Sequence, residues 1–343
     1  MKNNLPLVSV LTPNYNHSRF LDTCIQSVLS QTYPNIEYTV LDNQSTDDSV
    51  AVAAKYINDG VRVNRNAINI MNTSYRVLIN GLTSLNSKYA MLLPADDYLE
   101  PTFIEKCVSV MEKHPDVGYV HGEKDLITDE GEIIEFDEFY DRSFVAPGVE
   151  AMPIYMMTTV AHPAQGMFRI SSFKQCGGYN MPIDHVNADK ALWFYMSAVS
   201  DYAYIREKLS KVRIGIQTET SLTQRNFQHP MLLYLTLLEF VDYAERNGYP
   251  KVTERKEAAM LKLSTEFLSH AASALLENDK QLAERYLTFC KLISREIGSN
   301  DEYNNMQNML MSGVYDSEEL KTYIKLEAKR KRGYAPPDNF TEI

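Results

Sequence analysis

Over roughly the first 220 residues, short apolar runs alternate with one-faced helical stripes. Residues 7–12 (LVSVLT), 36–41 and 61–63 are apolar runs of strand type. Between the first two, Phe20, Leu21, Cys24, Ile25, Val28 and Leu29 recur at helical spacing, and Pro34 ends that helix. Ser45 followed three residues on by Asp48 has the form of a helix start, and this helix runs to about Asn58. A helix over 74–85 and a strand over 89–93 come next. Such close alternation implies parallel strands joined by crossover helices, an α/β architecture.

Pro94 stops the strand over 89–93 because proline cannot donate to a sheet ladder. Asp96 and Asp97 follow, and Pro101 leads into a helix with apolar Phe103, Ile104, Cys107, Val108 and Met111. Further on, a strand is expected over 117–121 and a hairpin from 124–128 and 133–136 across Asp129, Glu130 and Gly131. A Met-rich helix over 149–159 reads as gap-filling core. A strand over 165–170, a helix over 189–199 carrying the lone Trp193, and a last strand over 212–216 complete the region. After Gln228 the pattern turns helical, with helices expected over 231–247, 251–277, 279–297 and 316–332. The chain therefore divides into an α/β domain over 1–228 and a helical domain or extension over 229–343.

Composition narrows the class. The 343 residues carry a net charge of −11, which argues against a general nucleic-acid binder. No apolar run approaches the roughly 18 residues of a membrane span, and residues 1–12 lack the pattern of a signal peptide. Cys24, Cys107, Cys176 and Cys290 are far apart and form no CxxC pair, as expected of reduced thiols in a cytoplasmic protein. The basic run at 329–332 could touch anionic lipid at the inner face of the membrane, although such a run is more often a solvated face.

The chemistry gathers at strand ends. Asp42 and the Asp96–Asp97 pair each follow a strand, so they converge on one edge of a parallel sheet, where such sheets bind ligands. Adjacent carboxylates suit a hard divalent cation. They equally suit a solvated turn that caps a helix, and convergence with Asp42 favours the ligand. No glycine precedes Gly60, which excludes a Rossmann loop or a P-loop after the first strand.

Several ordered motifs carry a resemblance. They are V8-S-V-L-T-P-N-Y-N16, S27-V-L-S-Q-T-Y-P34, V40-L-D-N-Q-S-T-D47, the segment 89–99, Gly177–Gly178–Tyr179, and A188-D-K-A-L-W193. Together they resemble the family 2 glycosyltransferases, inverting enzymes dependent on nucleotide sugars. The resemblance implies a GT-A-type, mostly parallel sheet sandwiched by helices, and leaves the helical region uncovered. It implies that Thr12 and Tyr15 flank a nucleotide base and that Asp42 accepts the imide N–H of uracil or thymine. Asp96 would lie near the ribose and sugar, Asp97 would hold Mn²⁺ or Mg²⁺ on the diphosphate, and Asp189 would be the catalytic base. Arg169, after a strand, is a candidate for binding an anionic acceptor, whereas His162 and His185 read as ordinary polar residues.

The sequence departs from that pattern. Asn43 and Gln44 stand where the family has an acid and a glycine, Pro94 replaces the first acid of the metal loop, and Ala188 replaces a glutamate. Ile214 and Gly215 follow Arg213 where many members place a histidine, so a third protein ligand for the metal is in doubt. The implied partners are a nucleotide-sugar donor and a glycan, lipid-linked or protein acceptor of bacterial surface polysaccharide or glycoconjugate synthesis. The helical region is the candidate surface for a homodimer. The reading from another class is a catalytically inactive module that binds sugars or partner enzymes.

Overall fold

The structure, a computed structural model, describes residues 5–69, 86–134, 137–158, 160–178, 188–214, 227–328 and 333–343. The expected helix over 74–85, His185 and the basic run at 329–332 lie outside the described residues.

Strands β1 (Val8–Asn14), β2 (Ile36–Asp42), β3 (Arg62–Arg65) and β4 (Tyr89–Leu92) form where the apolar runs lie. They pair in parallel, β1 lying between β2 and β4, with β3 outside β2. Val8, Val10 and Val40 pack with Leu21, Cys24 and Ile25 of the helix Ser18–Leu29 in one buried cluster. The helix Phe103–Lys113 buries all five of its expected apolar residues. Burying such a stripe is what holds a short helix that would be marginal in water.

Beyond β4 the sheet changes direction. Strand β9 (Gly166–Arg169) runs antiparallel to β4 on one side and to β6 (Val117–Ile127) on the other. Strand β10 (Asp201–Arg213) then pairs parallel with β6. The expected last strand over 212–216 is thus a 13-residue strand that begins much earlier. Its Arg206, Glu207 and Lys208 conceal it in the sequence; residues 206 and 207 face solvent while residues 202–205 are buried. The hairpin is present as β6 against β7 (Ile133–Ile134). Short β5 (Tyr98–Leu99) and β8 (Phe144–Ala146) pair antiparallel with β10.

The chain forms two compact units, and the division differs from the expected one. The sheet unit comprises Met1–Tyr155, Thr159–Gly215 and Gly333–Ile343. The last segment returns as β11 (Thr341–Glu342), antiparallel to β8, after a bridge between Tyr140 and Tyr334. Pro336 and Pro337 leave no strand pattern in this tail, so the sequence assigns it to the helical region. Backbone bonds from Gly333 and Tyr334 to the carbonyls of Glu138 and Phe139 hold it to the sheet unit.

The other unit, Met156–Thr158 and Ile216–Arg332, is helical among its described residues. Helices Gln228–Asn247, Lys256–Leu276, Lys280–Ile293 and Ser317–Ala328 follow the apolar stripes. A helix at Asp301–Ser312 is additional. Its asparagines at 304, 305 and 308 have poor helix propensity, and capping of Tyr303 N by Asn300 Oδ1 at 2.9 Å helps to start it. Phe267, Leu268, Tyr286 and Cys290 are buried in this unit.

Candidate active site

The ends of β1 and β2 build one part of the site. Asp42 is 1% exposed. Its Oδ1 accepts from Asn14 Nδ2 at 2.9 Å, and its Oδ2 from Ser45 N at 3.0 Å. Arg65 Nε lies 3.4 Å from the same Oδ2. A carboxylate offers about four lone pairs, so one further donor can be accommodated. Beside it, Asn14 Oδ1 is buried without a hydrogen-bond partner.

The departures from the motif at residues 43 and 44 are locally compensated. Gln44 has φ 64°, the left-handed backbone that a glycine adopts without cost. Its amide holds that conformation by donating to Ala67 O at 3.0 Å and accepting from Asn69 N at 2.9 Å. Asn43 donates to Asn69 Oδ1 and accepts from Asn66 Nδ2, a pairing an aspartate could not fully reproduce.

Thr12 is not placed as expected. Its side chain is fully buried, with Oγ1 2.9 Å from Tyr38 Oη and 3.8 Å from Cys24 Sγ. The alternation of a strand sends its side chain into the core with Val8 and Val10 rather than towards a base. Tyr15, on the turn after β1, is 42% exposed and available for stacking.

The second part of the site is built by the loop between β4 and β5. Asp97 N donates to Pro94 O at 3.1 Å, closing a tight turn that turns the Asp97 carboxylate inward, 2% exposed. Arg213, at the end of β10, fixes this loop. Its backbone N–H donates to Asp97 Oδ1 at 2.8 Å and its Nε to Asp96 O at 3.1 Å. Its guanidinium lies over the Phe20 ring at 4.1 Å. Asp97 Oδ2 has no hydrogen-bond partner. Burial pushes the Asp97 carboxyl well above the usual carboxylate range, and neighbouring Asp96 adds to this; the Arg213 N–H and the Lys124 and Arg213 charges oppose it.

Asp189 opens the helix Ala188–Ser197 and lines a small hollow with Leu92, Pro163, Gly166, Phe168 and Trp193. Burial raises its carboxyl above the ordinary range, opposed by the Lys190 backbone N–H and the charges of Lys124 and Lys190. Gly166 is required here because a Cβ would lie 2.5 Å from the Trp193 ring. His162 precedes Pro163 of this hollow, and its Nδ1 lies 3.4 Å from Asp97 Oδ2. The ordinary role expected of His162 therefore does not describe its place.

Arg169 is not at this edge. Its guanidinium donates to Val117 O at 3.2 Å, Tyr89 Oη at 3.3 Å and Met111 O at 2.9 Å. Tyr89 and Val117 begin β4 and β6, so Arg169 ties together the opposite end of the sheet and has no acceptor-binding place.

Among the described residues, no group of three or more His, Cys, Asp or Glu is arranged to hold a metal ion. The fit to a divalent cation rests instead on the orphaned Asp97 Oδ2, an oxygen ligand of the type that Mg²⁺ and Mn²⁺ prefer. No described helix is long and apolar enough to cross a membrane.

Comparison with known proteins bears on the family and the fold. Residues 9–175 match the family model described as glycosyl transferase family 2. An uncharacterized glycosyltransferase of Rickettsia prowazekii is 27% identical, over 81% of this chain and 83% of that protein. Hyaluronan synthase of Pasteurella multocida is 23% identical over 72% of this chain, which spans only 26% of that protein's length. Among solved structures, S. aureus TarS 1-349 in complex with UDP-GlcNAc has a TM-score of 0.55 at 15% identity, covering 90% of this chain and 93% of that chain. At that identity the likeness shows the fold alone, and the fold is the GT-A type.

Proposed function

Since residues 9–175 belong to glycosyl transferase family 2, we propose that the chain is an inverting, metal-dependent glycosyltransferase. Its donor would be a UDP- or dTDP-linked sugar, and its acceptor a glycan, lipid-linked or protein hydroxyl of bacterial surface glycoconjugate synthesis. The observation that carries this reading is the Asp97 carboxylate, 2% exposed, with one oxygen unpartnered at the strand edge where Asp42 and the Asp189 hollow also lie.

Each residue then has a task. Tyr15 stacks on the base, and Asp42 accepts its imide N–H with the remaining lone pair. Asp96 lies by the ribose and sugar, and Asp97 would hold Mn²⁺ or Mg²⁺. When bound, that cation supplies Lewis-acid stabilisation of the departing diphosphate. The Asp189 carboxylate takes the acceptor hydroxyl proton as the acceptor oxygen bonds to the anomeric carbon. The bond from that carbon to the diphosphate oxygen breaks on the opposite face with its electron pair, which inverts the centre. Burial of Asp189 favours this, because a raised pKa makes a carboxylate a stronger base.

A thermal-shift screen of nucleotide sugars with and without Mn²⁺ tests the reading, since a ligand bound only by the folded chain raises its melting temperature. Stabilisation by a UDP- or dTDP-sugar that needs Mn²⁺ and disappears in Asp97→Asn is the expected result. Absence of any nucleotide-dependent shift would refute the donor assignment. Donor binding without sugar transfer to any acceptor would favour the inactive binding module, for which Pro94 and Ala188 speak.

A further inference from the structure

Asp97 Oδ2 and His162 Nδ1 face each other across 3.4 Å. The oxygen has no hydrogen bond. The nitrogen accepts the Ala164 backbone N–H at 3.4 Å, so it carries a lone pair and the ring proton sits on Nε2. The unpartnered Asp97 oxygen therefore lies across one gap from a nitrogen whose lone pair is engaged only by that long contact. A shared proton would draw such a pair to about 2.7–2.9 Å. An oxygen and a nitrogen at this separation need only a small approach to hold one divalent cation between them.

We propose that His162 Nδ1 is a second protein ligand, beside Asp97 Oδ2, for the divalent cation, and that this nitrogen–oxygen pair makes the site prefer Mn²⁺ to Mg²⁺. The proposal rests on the metal role given to Asp97 above. His162 takes the part left open on β10, where Ile214 and Gly215 follow Arg213.

The ring is held for this task. The His162 backbone N–H donates to Gln165 Oε1 at 2.8 Å, and Gln165 Nε2 donates to Gly122 O at 2.8 Å. This anchors the His162–Gln165 turn to β6 independently of the imidazole. The Ala164 contact to Nδ1 is long for a hydrogen bond, so redirecting that lone pair to a cation loses little. Two protein ligands leave the remaining positions to diphosphate oxygens and water. Mn²⁺, as a transition-metal ion, tolerates an imidazole nitrogen beside oxygen ligands better than Mg²⁺, which keeps to oxygen and holds its water tightly.

The test uses the full chain with MnCl₂ or MgCl₂, alone and with UDP. Binding is measured by calorimetry, and the Mn²⁺ environment by electron spin-echo modulation, which detects a coordinated imidazole nitrogen. His162→Asn is the informative variant because asparagine still caps the Pro163–Gln165 turn. The wild type should show nitrogen modulation and a Mn²⁺ preference. His162→Asn should lose the modulation, weaken Mn²⁺ about tenfold or more, as ligand loss implies, and narrow the Mn²⁺ over Mg²⁺ ratio, with its melting temperature unchanged. Unchanged Mn²⁺ affinity in folded His162→Asn, or no nitrogen modulation in the wild type, overturns the proposal while leaving Asp97 as ligand. Full Mn²⁺ binding by Asp97→Asn overturns the metal reading itself.

Discussion

Asp42 and Asp97 end neighbouring segments of one sheet edge and are almost equally buried, yet their surroundings are opposite. Asp42 is held by Asn14, Ser45 and Arg65. Asp97 receives one backbone N–H and keeps one oxygen bare. The difference separates a carboxylate that the fold satisfies from one that it leaves with an open acceptor. A buried carboxylate normally has its oxygens paired, because an unpaired one is expensive. At the strand ends of β1 and β2 the Asp42 carboxylate is satisfied and only the neighbouring Asn14 Oδ1 lacks a partner, whereas beside His162 the Asp97 carboxylate itself keeps a bare oxygen.

The strongest way to break this comparison is at Asp189. Asp189→Asn keeps the size of the side chain and removes the proton acceptor, so single-turnover transfer should fall by about 10²–10⁴ while donor affinity holds. The rising limb of the wild-type pH–rate profile should sit above the range of a free aspartate, because burial raises this group and only its ionised form accepts a proton. Near-normal transfer in the variant would remove Asp189 from the chemistry.

The satisfied carboxylate can be tested through stability. Asp42→Ala strands the Asn14 amide and the Ser45 N–H, and should cost about 2–4 kcal/mol in a urea unfolding series. A cost near zero would mean that the fold does not satisfy Asp42 either.

A third orphan sharpens the contrast. His121 on β6 is fully buried, its ring beside and nearly parallel to those of Tyr119 and Tyr202, with neither ring nitrogen hydrogen-bonded. Burial, helped by the Lys124 charge, lowers its pKa from 6.5 to about 3. Below pH 6.5 the unfolded chain takes up a proton that the folded chain refuses, so stability is lost as pH falls from there towards 3. At about pH 5 the loss is roughly 2 kcal/mol, and His121→Phe should remove this part of the acid slope. A parallel slope in wild type and variant would show that the ring is hydrated in solution.

The smallest effect is expected from the helical unit. Replacing residues 216–332 by a flexible linker, with β11 retained, should leave UDP affinity unchanged in calorimetry. Loss of binding by the folded product would place part of the donor site in the removed segment. A chain simply cut at 228 would not answer this, because it also loses the strand that pairs with β8.

Much of the sheet unit was legible in the sequence. Strands β1, β2 and β4, the Asp97 loop and the Asp189 helix lie where apolar periodicity and motif order put them. The errors trace largely to one reversal. Arg169 follows a strand, and in a parallel sheet that would bring it to the ligand edge. Because β9 is antiparallel to both neighbours, its C-terminal end lies at the other edge, and its N-terminal approach, with His162, arrives beside Asp97. Nothing in a single chain's periodicity distinguishes the two directions. Thr12 was misplaced for a different reason: a family motif marks a stretch of backbone, while the strand's alternation decides which side chains face in.

The returning tail has a consequence for synthesis. Thr341 pairs with Val145, so this β-pairing joins residues made far apart in time. At about 5–20 residues per second, a ribosome leaves β8 without its outer neighbour for roughly 10–40 s. During that interval β8 is a raw sheet edge, open to pairing with another nascent chain. Aggregation during expression should therefore respond to changes in residues 333–343 more than their slight burial suggests, and slowing translation across the helical unit should make it worse.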